Sequence, residues 1–126
     1  MNVVDSCGWL EFMGDGSNGP FFEPALLTEK ELLIPGVVIF EVCKRLAVLD
    51  QPAAADAFLS VVERCQIVHL SPADLANAAR AGISHKLALA DAIIWQTAQT
   101  HKARLYTQDI YFKVLGVHMV TFFWRI

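Results

Sequence analysis

Four carboxylates stand alone in otherwise apolar runs of this chain. Asp5 closes Asn2-Val3-Val4, Glu41 lies within Val37 to Leu46, Asp91 within Leu87 to Ala98, and Asp109 ends the run that starts at Arg104. An isolated carboxylate beside core-grade sequence is costly to bury unless it is paired, hydrogen-bonded or holding a metal. Spread from one end of the chain to the other, the four are expected to be gathered by the fold. Close together and all ionised, they would raise one another's pKa by repulsion and desolvation, and a divalent cation removes that conflict. A set of hard oxygen donors with no histidine or thiolate suits Mg²⁺ or Mn²⁺. Such an ion activates water and steadies charge on a phosphoryl group, so phosphodiester hydrolysis is the reaction the set points to.

Each acid also has a purely local explanation. Asp5 suits a helix cap, Glu41 an ion pair with Lys44 or Arg45 on a helix surface, Asp91 the positive end of a helix and Asp109 a turn. Only a shared location separates the two accounts, so the elements that carry the acids decide between them.

Val3-Val4 reads as a very short strand, and Ser6 to Met13 as a short helix that Asp5 or Ser6 can cap. The stretch Gly14-Asp15-Gly16-Ser17-Asn18-Gly19-Pro20 lacks the Gly-Lys-Ser/Thr end of a phosphate-binding loop and reads as a flexible connector. Phe21 to Lys30 is expected as a second short helix or helical turn, and Leu32 to Pro35 as a strand. The run Val37 to Leu46 is ambiguous: its β-branched residues favour a strand, whereas Leu46, Ala47 and Leu49 continue it at helical spacing. A helix from about Val38 is the reading taken. Gln51-Pro52 opens a helix striped by Ala55, Phe58, Leu59 and Val62, and Ile67 to Leu70 is a strand. Ser71-Pro72-Ala73-Asp74 is a capped helix start, for a helix running to Gly82. Another helix follows from about Leu89, then a strand at Arg104 to Thr107, a turn of helix at Ile110 to Leu115 and a closing strand at Val117 to Phe123. Strands separated by helices indicate a single α/β domain over residues 1–126 with a mostly parallel sheet. In such sheets the functional crevice lies at the carboxyl ends of the strands. Asp5 and Asp109 end strands, Asp91 lies in a first helical turn and Glu41 near a helix start, so all four can reach that edge.

At 126 residues the chain fits one core. Hydrophobic residues make up 55% and mean hydropathy is +0.41, yet no apolar run reaches the ~18 residues of a membrane helix. The excess points to a partner surface. Residues 1–5 lack the basic start and apolar centre of a secretory signal, which predicts a cytoplasmic protein. Cys7, Cys43 and Cys65 have no metal-ligand spacing and are expected as reduced, buried thiols. Net charge is −3, which does not advertise nucleic-acid binding; with the four acids on a cation, however, the other nine face ten Lys and Arg, and a local basic rim becomes possible.

The sequence resembles the PIN-domain family, and within it the small VapC-type ribonuclease toxins of toxin–antitoxin pairs. The resemblance rests on Val3-Val4-Asp5-Ser6, on Val38-Ile39-Phe40-Glu41-Val42, on Leu87-Ala88-Leu89-Ala90-Asp91-Ala92-Ile93-Ile94-Trp95, and on Leu105-Tyr106-Thr107-Gln108-Asp109 followed by Phe112. It implies a three-layer domain with a central sheet flanked by helices, an Mg²⁺- or Mn²⁺-dependent endoribonuclease, a homodimer and a partner antitoxin. Asp5, Glu41, Asp91 and Asp109 would then be the catalytic, metal-holding acids, with Ser6 and Thr107 as polar supports. Many relatives carry a second acid two residues beyond the one matched by Asp109, where this chain has Tyr111. Lys44, Arg45, Arg80, His85 and Lys86 are candidates for holding RNA phosphates. Phe21-Phe22 and Ala25-Leu26-Leu27 would suit an antitoxin groove or a dimer contact, with core burial as the competing account.

Two other readings compete with this one. A catalytically impaired binding module would keep the fold and lose the chemistry. A phosphoacceptor signalling domain would need an Asp at the end of a middle strand and a late Lys at a strand end, which Leu70-Ser71 and Thr107-Gln108-Asp109 do not supply.

Overall fold

A computed structural model of the chain describes residues 1–108 and the strand at 119–121. Five short strands are ordered β3-β2-β1-β4-β5, and every neighbouring pair is parallel. They are β1 (Asn2–Val4), β2 (Leu32–Pro35), β3 (Gln66–Val68), β4 (Arg104–Thr107) and β5 (Met119–Thr121). Among the described residues six helices flank the sheet: α1 (Ser6–Met13), α2 (Gly19–Leu27), α3 (Gly36–Val48), α4 (Pro52–Val62), α5 (Pro72–Ser84) and α6 (Leu89–Thr100). The expected α/β architecture with a parallel central sheet is the one observed.

β1 is the central strand, with Val3 in register with Leu33 on one side and Leu105 on the other. From β1 the chain steps outward to β2 and β3, then crosses back through α5 and α6 to β4 and steps the other way to β5. The direction of winding therefore reverses between β1 and β4. That is the place where a parallel sheet leaves a crevice beyond its carboxyl ends.

The central strands are apolar because both of their faces are covered. Val3, Val4, Leu32, Leu33, Ile34 and Leu105 are all buried. Around them pack Phe22, Val38, Val42, Phe58 and Ile94, and Trp9 meets Phe58 edge to face at 5.1 Å. Burying each of the large side chains contributes about 1.5–3 kcal/mol relative to leaving it in water.

The chain departs from sequence expectation in several places. α3 starts at Gly36, directly after β2 with no loop between them, rather than near Val38. Its buried stripe of Val38, Val42 and Leu46 has helical spacing, and this packing overrides the strand preference of its β-branched residues. Gly19 and Pro20 belong to α2 rather than to the connector, since proline is well placed in a first helical turn. α2 ends at Leu27, and residues 29–31 form a separate 3₁₀ turn. β3 is shifted to Gln66–Val68 and α5 extends to Ser84; of the closing strand expected at Val117 to Phe123, Met119–Thr121 is described as β5 and the rest lies outside the described residues. The turn of helix expected at Ile110 to Leu115 lies outside the described residues. The three cysteines are free and half-buried rather than buried. Among the described residues no helix is long and apolar enough to cross a membrane.

Two glycines make opposite demands. A Cβ on Gly8 would stand 2.6 Å from Val4 Cγ1 and 2.7 Å from Phe22 Cδ1, both in the buried core. A Cβ on Gly36 would meet only the ring of the exposed His69, which can swing into solvent. Gly8→Ala is therefore expected to cost about 1–3 kcal/mol by overpacking, and Gly36→Ala to stay within about 0.5 kcal/mol. Urea denaturation of the two variants checks the contrast, and equal midpoints would contradict it.

Candidate active site

Asp5 follows β1 directly and serves as N-cap of α1. Its backbone N–H bonds to the Tyr106 carbonyl at 3.0 Å, which anchors it to β4. The residue is 3% exposed. Oδ1 accepts from the Ser6 backbone N–H at 2.7 Å and from Ser6 Oγ at 3.3 Å. Oδ2 accepts from Thr107 Oγ1 at 2.9 Å and from Cys7 Sγ at 3.4 Å. The cap and site accounts of Asp5 thus describe one arrangement. The carboxylate that starts α1 sits at the switch point between β1 and β4.

Ser6 also reaches the second acid, its Oγ lying 3.0 Å from Glu41 Oε1. Glu41 is half-buried on α3, and neither Lys44 nor Arg45 pairs with it; the ion pair found among the described residues joins Arg64 to Glu29 at 3.0 Å. Burial, and then the charge of Asp5, push the Glu41 carboxyl above its ordinary pKa, while the Ser6 hydrogen bond opposes the shift. Two carboxylates are therefore held close through one hydroxyl, and among the described residues no lysine or arginine neutralises Glu41.

Asp91 stands in the first turn of α6. α6 precedes the parallel strand β4 through a short turn and packs against β1 and β4, so its N-terminal end belongs to the carboxyl edge of the sheet. Asp109, the fourth expected acid, and Tyr111 lie outside the described residues. Among the described residues, no three or more His, Cys, Asp or Glu side chains converge closely enough to hold a metal ion. What the structure does bring together is Asp5, Ser6, Glu41 and Thr107. The chemistry of this set fits a hard divalent cation, because oxygen donors surround a charge conflict that hydrogen bonding from neutral groups does not remove.

The basic candidates occupy separate surfaces. Lys44 and Arg45 are exposed on α3, with Lys44 Nζ 5.9 Å from the Phe40 ring centroid. Arg80 is exposed on α5 and bonds to Asn77 Oδ1. His85 follows α5 and packs near Trp95, with ring centroids 5.6 Å apart, and Lys86 is exposed with a left-handed backbone. Phe22, Ala25 and Leu26 belong to the core, so burial accounts for those three; Phe21 is half-buried and Leu27 exposed. β3 ends at Val68, so no acceptor Asp stands there for a phosphoacceptor reading.

Cys7 is the site residue that sequence reasoning missed. Its position two residues after Asp5, in the first turn of the capped helix, was the available signal. Its Sγ lies 3.7 Å from Thr107 Oγ1 as well as 3.4 Å from Asp5. Burial, and then the charge of Asp5, push the thiol up to about 12. It is a neutral donor and not a nucleophile.

The sequence profile of the PIN domain matches residues 3–117. The chain belongs to the PIN-domain family. This PIN domain superposes on a toxin–antitoxin complex from Klebsiella pneumoniae with a TM-score of 0.78 at 21% identity, covering 96% of this chain and 97% of that one. It also superposes on a sarcin–ricin loop cleaving VapC toxin of Mycobacterium tuberculosis, with a TM-score of 0.78 at 14% identity over 93% and 96% of the two chains. FitAcB from Neisseria gonorrhoeae aligns with a TM-score of 0.72 at 17% identity over 94% and 96%. At these identities the likeness is one of fold. No curated protein sequence matches the chain.

Two outcomes follow from the electrostatics of the PIN domain's Asp5–Glu41 pair. At pH 8 the Cys7 thiolate fraction is expected to be roughly a thousandfold below that of an ordinary thiol. Iodoacetamide labelling of the folded protein, read by peptide mass spectrometry, should find Cys7 the slowest of the three cysteines; prompt labelling would contradict the burial. For Glu41 the folded-state pKa lies above the unfolded value. Ionising it therefore weakens the fold as pH rises, with no cost below the unfolded pKa near ~4.3 and the full cost above the folded one. Glu41→Gln should raise the melting temperature of metal-free protein at pH 8, lose that advantage near pH 4, and reduce stabilisation by added Mn²⁺. Thermal melts with and without Mn²⁺ at both pH values test all three points.

Proposed function

We propose that this PIN domain is a metal-dependent endoribonuclease, the toxin of a toxin–antitoxin pair, hydrolysing RNA phosphodiester bonds. The observation that carries the reading is the buried Asp5 carboxylate at the switch point, joined through Ser6 to Glu41. Membership of a nuclease family supports it. So does the likeness in fold to a sarcin–ricin loop cleaving toxin and to toxin–antitoxin complexes.

Asp5, Glu41 and Asp91, together with Asp109, would hold Mg²⁺ or Mn²⁺. A bound cation supplies counter-charge for the acids, activates water and stabilises charge on the phosphoryl group. The chain's own residues do the rest. Thr107 and Cys7 hold Oδ2 of Asp5, and Ser6 holds Oδ1 and turns Glu41 toward the same place. Lys44, Arg45, Arg80, His85 and Lys86 are the proposed phosphate contacts of the RNA. An apolar groove of about 440 Å³ between α5 and α6, lined by Leu75, Ile83, Leu87, Leu89 and Ile93, favours an antitoxin segment or a second copy of the chain as partner. Ile83 is 82% and Leu89 75% exposed along it.

Asp5→Asn keeps the shape and the Ser6 hydrogen bond while removing the charge. It should lower Mg²⁺-dependent RNA cleavage by about a hundredfold or more with the fold intact by circular dichroism. Calorimetric titration of the parent protein with Mn²⁺ separates this reading from that of a binding module. Cleavage undiminished by Asp5→Asn would overturn the nuclease assignment, and a parent that binds no Mn²⁺ would favour the binding module.

A further inference from the structure

The connector between α1 and α2 is tied to the site by one buried side chain. Asn18 is 6% exposed. By position it is the N-cap of α2, where an asparagine oxygen ordinarily accepts from the first free N–H groups of the helix. It makes no such bond. Its Nδ2 donates instead to Gln108 Oε1 at 3.1 Å, and its backbone N–H donates to Glu11 Oε1 at 3.1 Å. The Gly16 N–H bonds to the Glu11 carbonyl at 2.8 Å, so Glu11 of α1 holds the connector through both its backbone and its side chain. Helix capping does not explain why this asparagine is buried.

Gln108 does explain it. It follows Thr107, whose hydroxyl donates to Asp5 Oδ2. Cys7, which also donates to Asp5 Oδ2, has its Sγ 3.7 Å from that hydroxyl. The residue that Asn18 grips therefore directly follows one donor to Asp5 Oδ2, and that donor touches a second, Cys7. We propose that Asn18 is a positioning residue of the active site: by fixing Gln108 it keeps the end of β4 where Thr107 and Cys7 reach Asp5. A stretch that reads as a loose linker is then part of the machinery that orients the central acid. The consequence for catalysis rests on the nuclease reading; the geometric claim does not.

The Ser6 backbone N–H, which donates to Asp5 Oδ1, is a local probe of that orientation. Amide hydrogen exchange by NMR should show Ser6 exchanging about tenfold faster in Asn18→Ala and in Gln108→Ala, and no faster again in the double variant, because both changes delete one contact. RNA cleavage should lose about tenfold in kcat with KM within about twofold, since a misplaced acid impairs chemistry more than binding. Unchanged Ser6 exchange in Gln108→Ala, or effects that add in the double variant, would overturn the proposal. Should Asn18→Ala fail to fold, Gln108→Ala decides alone, as it removes only the acceptor. A parent protein that cleaves no RNA would defeat the nuclease reading, while the Ser6 exchange rates would still decide whether Asn18 positions Asp5.

Discussion

The structure depends on keeping one charged group, the Asp5 carboxylate, almost fully out of water. Taking an ionised carboxylate into the interior costs several kcal/mol unless its lone pairs are met. Among the described residues they are met by the first residue of α1 through both its backbone N–H and hydroxyl, by the thiol one residue further on, and by the hydroxyl that ends β4. Each donor constrains an element. α1 must begin immediately after β1, β4 must lie beside β1 and run parallel to it, and Thr107 must fall at the level of Asp5. The register Val4 opposite Tyr106 delivers that last condition. These donors are neutral, however, so they satisfy oxygen lone pairs without removing charge. Bringing Glu41 to the same hydroxyl adds a second acid, whose pKa is raised by burial first and by the charge of Asp5 after it, a cost that a bound cation would relieve.

The very short strands follow from the same requirement. With three or four residues each, the strands do little beyond setting the level at which their successors emerge. β1 passes into α1 at Asp5, and β2 passes into α3 with no intervening loop. Both acids of the observed pair thus sit on helices launched straight from adjacent parallel strands. Rigid backbone, rather than loop, fixes their separation, and sites built on such elements hold tighter geometry than sites on loops.

Much of this was legible in the sequence because a lone acid in an apolar run is conspicuous. Asp5, Glu41 and Asp91 stand out for that reason, and the parallel sheet follows from strands alternating with helices. Boundaries were less legible where local preference and packing disagree. Val37 to Ile39 are β-branched yet helical, because the α3 face formed by Val38, Val42 and Leu46 has a core to fill. Phe22, Ala25 and Leu26 looked like a partner surface because composition cannot say which apolar residues reach the core. Cys7 was hidden by chemistry: a thiol in apolar sequence reads as a small hydrophobe, and its contact with Thr107 comes from a strand a hundred residues away. Glu41 could have been a surface ion pair with Lys44 or Arg45; only the fold shows that it turns toward Ser6 instead.

Asn18 presents the same contrast in its sharpest form. Asn18-Gly19-Pro20 reads in sequence as the end of a flexible connector, yet α2 starts there with Asn18 at its N-cap position. A side-chain cap at this position is typically worth ~1 kcal/mol. The structure forgoes that gain and uses the amide on Gln108, leaving α2 to rely on Pro20 in its first turn and on the burial of Phe22, Ala25 and Leu26. A buried polar group diverted from a favourable local bond to a distant one implies that the distant bond matters more to the folded protein. Along this chain the diverted bond ends one residue from a donor to Asp5. The cost of burying that carboxylate is thus shared well beyond the residues that touch it, reaching a connector that looks, in sequence, designed only to bend.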